Sequence, residues 1–434
     1  MNSHSLAPTT ALSHVPRRIL LVDADAFFVA VARQEDPEGA GRAALLIVGG
    51  RPGSRGVVCS ASYECRAFGV RSGMAIARAL QLCPTATCVP VPRRACGARS
   101  RDIASVLAQY TPLVQASSID EWYCDMGGTE ALYGHESLTA TAHRIRDAVR
   151  NATGLSVSIG GGTTRLVAKM AVEVGKPKPG TGASGVHCVD AGEEAPFLAR
   201  FRLSDLPMVG PKFADTLARR NLETVAEAQA LSKAALIAAL GERAGDWLHQ
   251  RVRGIDGSAV APRESQKQVS REETFAQDLH DESLIDRELL RLAVRVSADL
   301  RQQSLHARTV TVKLRDADFR TRSAQRTLRV PIESERSVAK AAHALLAQLR
   351  SRRRVGVRLL GIGLSHFEDV PPAATQLAFF EAPAPIVPDE PIESDRDRAL
   401  TVALDRIRGR YGAKAIVPAP LIHGTREIGP RVEE

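Results

Sequence analysis

Two pairs of acidic residues are the features of the sequence best suited to chemistry. Asp23 and Asp25 follow the apolar run "ILLV", and Asp120 and Glu121 interrupt the strand-like stretch "SSIDEWYCDM" at 117–126. Buried carboxylates are costly unless they are paired or bind a metal. An acidic surface turn is the simpler interpretation, because Asp-x-Asp and Asp-Glu both occur often by chance.

A metal site would explain both pairs. In a regular strand Asp120 and Glu121 point to opposite faces, so they converge only at a turn or a bulge. If they do, and Asp23 meets them, three carboxylates share one edge of a sheet. Such a cluster raises the pKa values of its members unless cations neutralise it. Mg²⁺ suits it because this ion takes oxygen ligands, and two ions can serve both oxygens of a phosphoryl transfer.

Two strand-to-helix units would position these groups. In the first, a buried strand ends at Asp23 and turns into a helix that carries Phe28. In the second, the strand "LSVSIGGG" ends in glycines, and Thr163 or Thr164 caps the helix that follows. Lys169 lies on the polar side of that helix, where an ordinary solvated face is the alternative interpretation.

The chain is long and basic. A chain of 434 residues is longer than a single hydrophobic core usually accommodates, which indicates several domains. The formal net charge of +9 favours a polyanionic partner. Residues 301–360 hold 15 Lys and Arg against 4 Asp and Glu, a net +11 that exceeds the charge of the whole chain. We interpret this segment as a DNA or RNA surface, although a solvated basic face is the common alternative.

Cysteine usage and the lack of targeting signals indicate a reducing compartment. The seven cysteines include no Cys-x-x-Cys pair, which argues against a disulfide framework or a zinc site. The N-terminus shows no basic start followed by an apolar core, and no run of 18 apolar residues occurs. We expect a cytoplasmic, nucleoid-associated protein with no membrane segment.

Four segments, in order, resemble the motifs of Y-family DNA polymerases, most of all the DNA polymerase IV branch of bacterial translesion enzymes. They lie between residue 18 and about residue 183 and read "ILLVDADAFFVAVA", "VVCSASYECRAFGVRSGM", "SSIDEWYCDM" and "GGTTRLVAKMAVEVGKPKPG". Each segment alone is unspecific, but the ordered set of four is highly specific. Later segments resemble the thumb and little-finger domains of the same family, so the resemblance covers nearly the whole chain.

The resemblance implies an α+β multidomain fold, a right-hand polymerase whose palm has a mixed β-sheet with helices. The expected parts are a disordered N-terminus at 1–17, a palm at 18–34 and 94–188, small fingers at 35–93, a helical thumb with a helix-hairpin-helix at 189–257, a linker at 258–268, an α/β little finger at 269–370, and a flexible tail at 371–434 with a short helix at 396–411. Within the little finger, periodicity predicts helices at 284–304 and 335–350 and strands at "RTVTVKLRDADF" and "RVGVRLLGIGLSHF".

The resemblance also implies the catalytic residues. Asp23, Asp120 and Glu121 match the metal carboxylates of the family, and the carbonyl of Ala24 matches its main-chain ligand. They would hold two Mg²⁺ ions, with Mn²⁺ as an alternative. Asp25 matches an acid that is common in the family and is not assigned to the metals. The reaction would be attack of a primer 3′-hydroxyl on the α-phosphate of a dNTP.

A second set of matched residues would bind the dNTP. Phe28 matches the steric gate, an aromatic ring that leaves no room for a 2′-hydroxyl, although core packing is the bland interpretation. Tyr63 and Arg66 match the pair that grips the triphosphate, with Ser60 as a helper. A guanidinium suits phosphate because it donates two parallel hydrogen bonds. Lys169 matches the triphosphate lysine.

Two further segments suggest macromolecular partners. "LPMVGPKFADTL" resembles a helix-hairpin-helix, which would hold primer–template DNA through phosphate contacts. "TQLAFF" at 375–380 resembles the peptide with which bacterial polymerases bind their sliding clamp, although about fifty residues follow it here. The residues matched to the clamp peptide are Gln376, Leu377, Phe379 and Phe380.

Two departures from the family pattern concern the site. Trp122 replaces the small residue that usually follows the Asp-Glu pair, and "KPKPG" replaces Lys-Pro-Asn-Gly. Neither removes a matched ligand, but we expect Trp122 to alter packing beside the metals.

We therefore predict a monomeric, template-directed, error-prone DNA polymerase of the translesion type, acting in DNA repair and damage tolerance. The first alternative is an inactive homologue that serves as a DNA- and clamp-binding scaffold of a mutagenesis complex. Retention of all three carboxylates argues against it. The second is another palm-like enzyme such as a nucleotide cyclase, which would need no duplex-binding hairpin or basic C-terminal domain.

Overall fold

A computed structural model gives the fold, and it describes residues 16–177, 182–261, 266–368, 393–412 and 414–422. Residues 1–15 of the expected N-terminal tail and the expected clamp peptide at 375–380 lie outside the described residues. The chain divides into two compact units. The first comprises Met1–Pro52 with Gly56–Glu264, and the second Gly53–Arg55 with Ser265–Glu434.

The first unit contains two sheets. Its strands are β1 (Ile19–Ala24), β2 (Leu46–Gly49), β3 (Val58–Ala61), β4 (Thr87–Val89), β5 (Val114–Ala116), β6 (Glu121–Asp125), β7 (Val157–Gly162) and β8 (Val186–Cys188). One sheet has the order β5-β6-β1-β7-β8 and the other the order β3-β2-β4. β1 runs antiparallel to both of its neighbours, β6 and β7. Every residue of β1 is buried, as its apolar run predicts.

Helices cover the strands of the first unit. They are α1 (Phe27–Glu35), α2 (Tyr63–Ala67), α3 (Ile76–Leu82), α4 (Arg93–Leu107), α5 (Leu138–Thr153), α6 (Arg165–Gly175), α7 (Glu194–Leu198), α8 (Pro211–Ala218), α9 (Val225–Gln229), α10 (Lys233–Leu240) and α11 (Glu242–Arg251). Alternate residues of β1 pack in opposite directions. Leu20 and Val22 join the core formed with α1, α4 and α5, whereas Ile19 and Leu21 pack against α6.

α6 lies close against β7 because that strand carries glycine. A Cβ atom on Gly160 would come within 2.2 Å of the carbonyl oxygen of Ala168 and the amide nitrogen of Val172. No side chain fits in that space, so the glycine run allows the helix to touch the strand directly. Of the two predicted caps, Thr163 and Thr164, it is the hydroxyl of Thr164 that accepts a hydrogen bond from the amide of Val167, at 3.2 Å.

The three-stranded sheet and α2 and α3 form a small subdomain with its own core. Ser62 stands between β3 and α2. Its hydroxyl accepts from the amide of Cys65 and donates to the carbonyl of Ala44, so it caps α2 and ties this helix to the sheet. This cap fixes the orientation of Tyr63 and Arg66, which lie on α2.

Residues after β8 are helical, as expected for residues 189–257. α7 to α11 surround a shared apolar core that also includes residues of α6. A single 3-10 turn, Leu203–Asp205, precedes the hairpin that leads to α8, and Pro211 occupies the first position of that helix. Met208 lies in the hairpin with a φ of 74° and is 81% exposed.

The second unit is a four-stranded antiparallel sheet with helices on one face. Its strands β9 (Gln268–Leu279), β10 (Ala307–Asp316), β11 (Thr321–Ile332) and β12 (Val357–Phe367) have the order β11-β10-β12-β9, and its helices are α12 (Glu282–Gln302), α13 (Glu335–Arg352) and α14 (Asp395–Tyr411). The predicted strands and helices are present. Sequence periodicity missed β9 and β11, whose exposed positions are polar.

Several arginines of the basic segment 301–360 serve the fold. Arg301 forms two hydrogen bonds of 2.7 Å with Asp405, and its side chain is only 8% exposed. Arg322 and Arg353 both pair with Asp316, which is fully buried. The interpretation of the whole segment as a nucleic-acid surface is therefore too broad, because these guanidinium groups face internal carboxylates.

The described part of the expected flexible tail is docked on the second unit. Glu393 accepts from the amides of Glu333 and Ser334, at 3.1 and 2.6 Å, just before α13 begins. Arg408 of α14 pairs with Glu335 at 2.8 Å. The expected helix at 396–411 is therefore present as α14, but it is held by ion pairs and by a buried carboxylate. Among the described helices, no segment is long and hydrophobic enough to traverse a lipid bilayer.

Candidate active site

The backbones of the predicted catalytic acids lie side by side at one end of β1. Asp23 is paired with Glu121 across the ladder to β6 and with Ser158 across the ladder to β7. The amide of Ala24 donates to the carbonyl of Asp120 at 2.9 Å. Asp120 precedes β6 and lies in a bend, so the convergence that a regular strand would forbid occurs at a turn.

Two of these acids are paired with lysines. Lys176 Nζ lies 3.1 Å from Asp23 Oδ2, and Lys169 Nζ is in close contact with Glu121 Oε1. Asp23 is 9% exposed. An isolated carboxylate at this depth would be strongly disfavoured, and the two ammonium groups supply the positive charge that this part of the sheet requires.

The third acid faces a different partner. The hydroxyl of Ser118 donates to Asp120 Oδ1, and the Asp120 amide donates back to that hydroxyl at 3.2 Å. Within the ranges that the structure describes, no three Asp, Glu, His or Cys side chains are placed together so that they could hold a metal ion. The acids therefore share an edge, and Asp23 and Glu121 lie close enough for their carboxylates to interact, but the three acids do not form one metal-binding cluster among the described residues.

The two paired acids differ in pKa. Burial raises the pKa of Asp23 to about 7, with the nearby Glu121 charge adding to the rise and Lys176 opposing it. Burial also acts to raise the pKa of Glu121, but the hydrogen bond and charge of Lys169 outweigh it, and the net pKa is lowered. At neutral pH Glu121 is therefore ionised, whereas burial opposes the ionisation of Asp23.

The two lysines occupy different positions because α6 ends between them. Lys169 is within the helix and contacts Glu121, whereas the helix ends at Gly175 and Lys176 is the first residue beyond it. Lys176 lines the cleft beside Asp23, and Lys169 is not among the lining residues. Lys169 as the triphosphate lysine stays a prediction, and Lys176 is the lysine that faces the cleft in this structure.

A cleft brings together most of the predicted site residues. It is lined by Asp23, Ala24, Asp25, Ala26, Phe27, Phe28, Cys59, Ser60, Tyr63, Arg66, Ser72, Asp120, Glu173, Lys176 and Pro177. Of the residues predicted for metals and dNTP, only Glu121 and Lys169 are absent from this lining. Sequence reasoning missed Lys176, although its place directly before Pro177 in "GKPKPG" was a signal that the helix ends there.

Phe28 faces the cleft from the first turn of α1. The neighbouring Phe27 ring is 2% exposed and packs in the core that β1 shares with α1, α4 and α5. The two ring centroids are 5.6 Å apart and the ring planes meet at 69°, an edge-to-face contact. Phe28 is half-buried, so one part of its ring is held by packing and another is open to the cleft.

Tyr63 and Arg66 approach the cleft from α2. The Arg66 guanidinium carbon lies 4.8 Å from the centroid of the Tyr63 ring, and Arg66 Nε donates to the carbonyl of Ala61 at 2.9 Å. The ring and the backbone bond fix the plane of the guanidinium. Burial and the charge of Asp25 raise the pKa of the Tyr63 hydroxyl, so it stays protonated and can donate.

Trp122 lies away from the cleft. Its side chain is 1% exposed and belongs to the core formed with α4 and α5, on the opposite side of β6 from Glu121 and Tyr123. It does not line the cleft. The departure from the family pattern at this position is accommodated by the core, and the expected effect on packing beside the acids is not seen.

The chain matches known polymerases over nearly its whole length. The sequence model of the impB/mucB/samB family matches residues 22–173, that of its C-terminal domain matches 266–379, and that of the DNA polymerase-iota thumb domain matches 204–256. A DNA polymerase IV of Dehalococcoides mccartyi is 33% identical over 404 residues, covering 92% of this chain and 96% of the relative. That of Caulobacter vibrioides is 33% identical over 423 residues, covering 97% and 96%.

Solved structures agree on the fold. A Y-family DNA polymerase chimera of Dbh and Dpo4 superposes with a TM-score of 0.71 at 23% identity, covering 81% of this chain and 99% of the chimera. The insertion ternary complex of Dbh DNA polymerase gives a TM-score of 0.56 at 23% identity and the same coverage. The α+β fold, with a thumb and a C-terminal little-finger domain, is thus the fold of the Y-family DNA polymerases, as expected. Within that class, the chain belongs to the DNA polymerase IV family, and it is a DNA-directed DNA polymerase.

The raised pKa of Asp23 predicts a pH-dependent gain of stability on removing its charge. In the metal-free protein, ionisation of Asp23 is unfavourable in the folded state, because its pKa is about 7 there against an ordinary 3.8. This cost grows as pH rises between those two values and is constant above the higher one. Asp23→Asn, melted with a chelator present, should therefore gain more stability at about pH 8 than at about pH 5.

Asp36→Asn is the matched control. The amides of Ala40 and Gly39 lower the pKa of Asp36, so this carboxylate is ionised in folded and unfolded chains across the same pH range. Its effect on the melting temperature should not change between the two pH values. Equal effects of Asp23→Asn at both values would contradict the raised pKa.

Proposed function

We propose that this polymerase is a template-directed translesion enzyme and that the cleft is where it adds a dNTP to a primer 3′-hydroxyl. The observation that carries the proposal is the meeting of acids, an aromatic ring and cations in one cleft at the end of β1. The relatives named DNA polymerase IV support the same activity. Damage tolerance is the cellular role that we infer for it.

The acids at the end of β1 are the proposed ligands of two Mg²⁺ ions. Asp23, Asp120 and Glu121 would provide carboxylate oxygens and Ala24 its carbonyl. The lysine pairs of Asp23 and Glu121 support this assignment, because they place positive charge beside the same carboxylates that would bind the ions. When bound, such ions supply positive charge to both the attacking and the leaving oxygens of a phosphoryl transfer. Movement of Lys176 and of Ser118 would free Asp23 and Asp120 for this role.

The other lining residues are the proposed dNTP site. Arg66, Tyr63 and Lys176 would bind the triphosphate, since their donors face the same cleft as the acids. Ser60, which is buried in the cleft wall, would add a hydroxyl. Phe28 would lie against the sugar and exclude a 2′-hydroxyl by overlap. Lys169 is assigned instead to Glu121, which it neutralises and orients.

DNA would be held through phosphates by each unit. In the first, the proposed contact is the hairpin before α8, whose tip exposes Met208. In the second, it is the sheet face opposite α12 and α13, which carries Lys313 and Arg315. These contacts read no sequence, as a polymerase that must accept any template requires. An inactive scaffold remains the second candidate and is disfavoured because every matched acid is present.

Removing the Asp-Glu pair should abolish synthesis. We expect Asp120→Ala/Glu121→Ala to lower primer extension with Mg²⁺ and dNTPs by at least roughly 10³-fold, because two carboxylates are lost from the proposed metal site. Primer extension on gels, with primer–template affinity measured by fluorescence anisotropy, separates catalysis from DNA binding.

Asp102→Ala/Asp147→Ala removes the same charge from exposed helical positions of the first unit and should retain activity. Extension by neither wild type nor variant, with DNA binding intact, would favour the scaffold. Extension by the Asp120→Ala/Glu121→Ala variant would refute the assignment of these acids.

The two lysines should have separable kinetic effects. Lys176→Ala should raise the KM for dNTP by roughly 10- to 100-fold, the cost of losing a charged hydrogen bond. Lys169→Ala should mainly lower kcat, because its partner is Glu121. Steady-state kinetics with one dNTP varied provides the comparison, and a larger KM effect at Lys169 would restore the assignment made from sequence.

The clamp peptide at 375–380 remains a proposal from sequence alone, and the proposed partner is a sliding clamp. Leu377→Ala/Phe379→Ala/Phe380→Ala should reduce the stimulation of extension by loaded clamp, because apolar anchors are lost from the peptide. The measurement is the ratio of extension with and without clamp. Ile386→Ala/Val387→Ala, which removes apolar residues just beyond the peptide, is the control, and an equal ratio in both variants would refute the peptide.

A further inference from the structure

Asp25 differs from the other acids of the cleft in its partners. Asp23 and Glu121 pair with lysines, whereas the two oxygens of Asp25 accept hydrogen bonds from hydroxyl groups. Ser156 Oγ donates to Oδ2 at 2.9 Å and Ser158 Oγ donates to Oδ1 at 2.7 Å. The Asp25 amide also donates to the Ser156 carbonyl at 3.0 Å. Main chain and side chain of Asp25 are thus both fastened to the start of β7.

The turn that follows Asp25 is in an unfavourable conformation. Ala26 has φ 46° and ψ 43°, the left-handed region, and it caps α1 without a side-chain hydrogen bond. Residues with a Cβ rarely adopt this region, and such conformations persist only where the surrounding structure imposes them. Here the imposing contacts are made by the two residues before Ala26: Asp25 is bonded to the start of β7, and the Ala24 amide donates to the carbonyl of Asp120.

This turn determines where the ring of Phe28 lies. The chain passes from Asp25 through Ala26 to Phe27 and Phe28, the first two residues of α1. Phe27 is fixed in the core, and Phe28 packs partly against that core and against a neighbouring cluster that includes Val29 and Leu46, so a shift of the turn would move the Phe28 ring with the start of α1. A steric gate works by contact, and a displacement of about 1 Å is enough to change the outcome of a reaction by about 10²-fold.

We propose that Asp25 is a positioning residue which, through Ser156 and Ser158, sets the discrimination between deoxyribonucleotides and ribonucleotides. It holds the left-handed turn at Ala26 and thereby the Phe28 ring. The inference rests on the proposed role of Phe28 as the steric gate. Asp25 is not assigned to a metal in this account. It acts through Ser156 and through Ser158, which is fully buried beneath it.

The test measures sugar discrimination. It uses the full chain with primer–template DNA and Mg²⁺, and it takes the ratio of kcat/KM for a dNTP to that for the matching rNTP. Ser156→Ala/Ser158→Ala and Asp25→Asn should each extend with dNTPs and lower the ratio by roughly 10-fold or more. Phe28→Ala gives the reference value of this ratio when no aromatic ring acts as the steric gate. Ser105→Ala, which removes an exposed hydroxyl that donates within α4, should leave the ratio unchanged.

A rescue variant distinguishes the positioning role of Asp25 from a general loss of structure or activity. Glycine adopts the left-handed region without strain, so adding Ala26→Gly to Ser156→Ala/Ser158→Ala should recover much of the lost discrimination. A merely structural role of the serines would lower kcat or stability without this recovery. Thermal melts accompany each variant. If the double variant does not fold, Ser156→Ala alone, at a half-buried position, should still lower the ratio by roughly threefold.

Each outcome decides between the proposals. If the folded variants at Ser156, Ser158 and Asp25 still extend the primer and their dNTP-to-rNTP ratio of kcat/KM is unchanged, the positioning role of Asp25 is refuted. The assignment of the protein as a polymerase is then unaffected. Loss of all extension by Asp25→Asn, as in Asp120→Ala/Glu121→Ala, overturns it in favour of a metal ligand. If Phe28→Ala itself retains full discrimination, the proposed gate fails, and the positioning role of Asp25 fails with it.

Discussion

The cleft depends on the neutralisation of carboxylates at the end of one buried strand. β1 must be apolar to lie between two layers of helices, yet it ends in Asp23, which the same burial makes costly to ionise. Lys176 offsets that cost from the end of α6. Gly160 allows α6 to lie against β7, and this position brings Lys176 to Asp23. The acid site therefore depends on this packing as well as on the acids themselves.

The remaining parts of the cleft follow from elements that approach the same strand end. α1 begins there and supplies Phe28, and α2 reaches it with Tyr63 and Arg66 from a separate small core. α1 shares its core with β1, whereas α2 packs in a core of its own, so the walls of the cleft come from two packing units.

The sequence predicted the strands, helices and caps that short-range patterns determine. It did not predict the side-chain positions and ion pairs that depend on tertiary contacts. β1, the Thr164 cap and the helices of the second unit follow from short-range periodicity and capping. Whether Lys169 or Lys176 faces the cleft depends on where α6 ends and on its rotation against the sheet, which residue spacing does not reveal. The ion pair between Arg301 and Asp405 joins residues 104 positions apart and has no local signal.

The contacts of α14, the C-terminal helix, indicate where the second unit ends. The family match to the C-terminal domain stops at residue 379, before Glu393 and α14. A fragment cut at that boundary would lose the acceptor for the amides of Glu333 and Ser334 and would leave Arg301 without its carboxylate. The second unit of this chain therefore includes α14, and excision at residue 379 would leave the amides before α13 without their acceptor and the buried Arg301 guanidinium without its ion-pair partner.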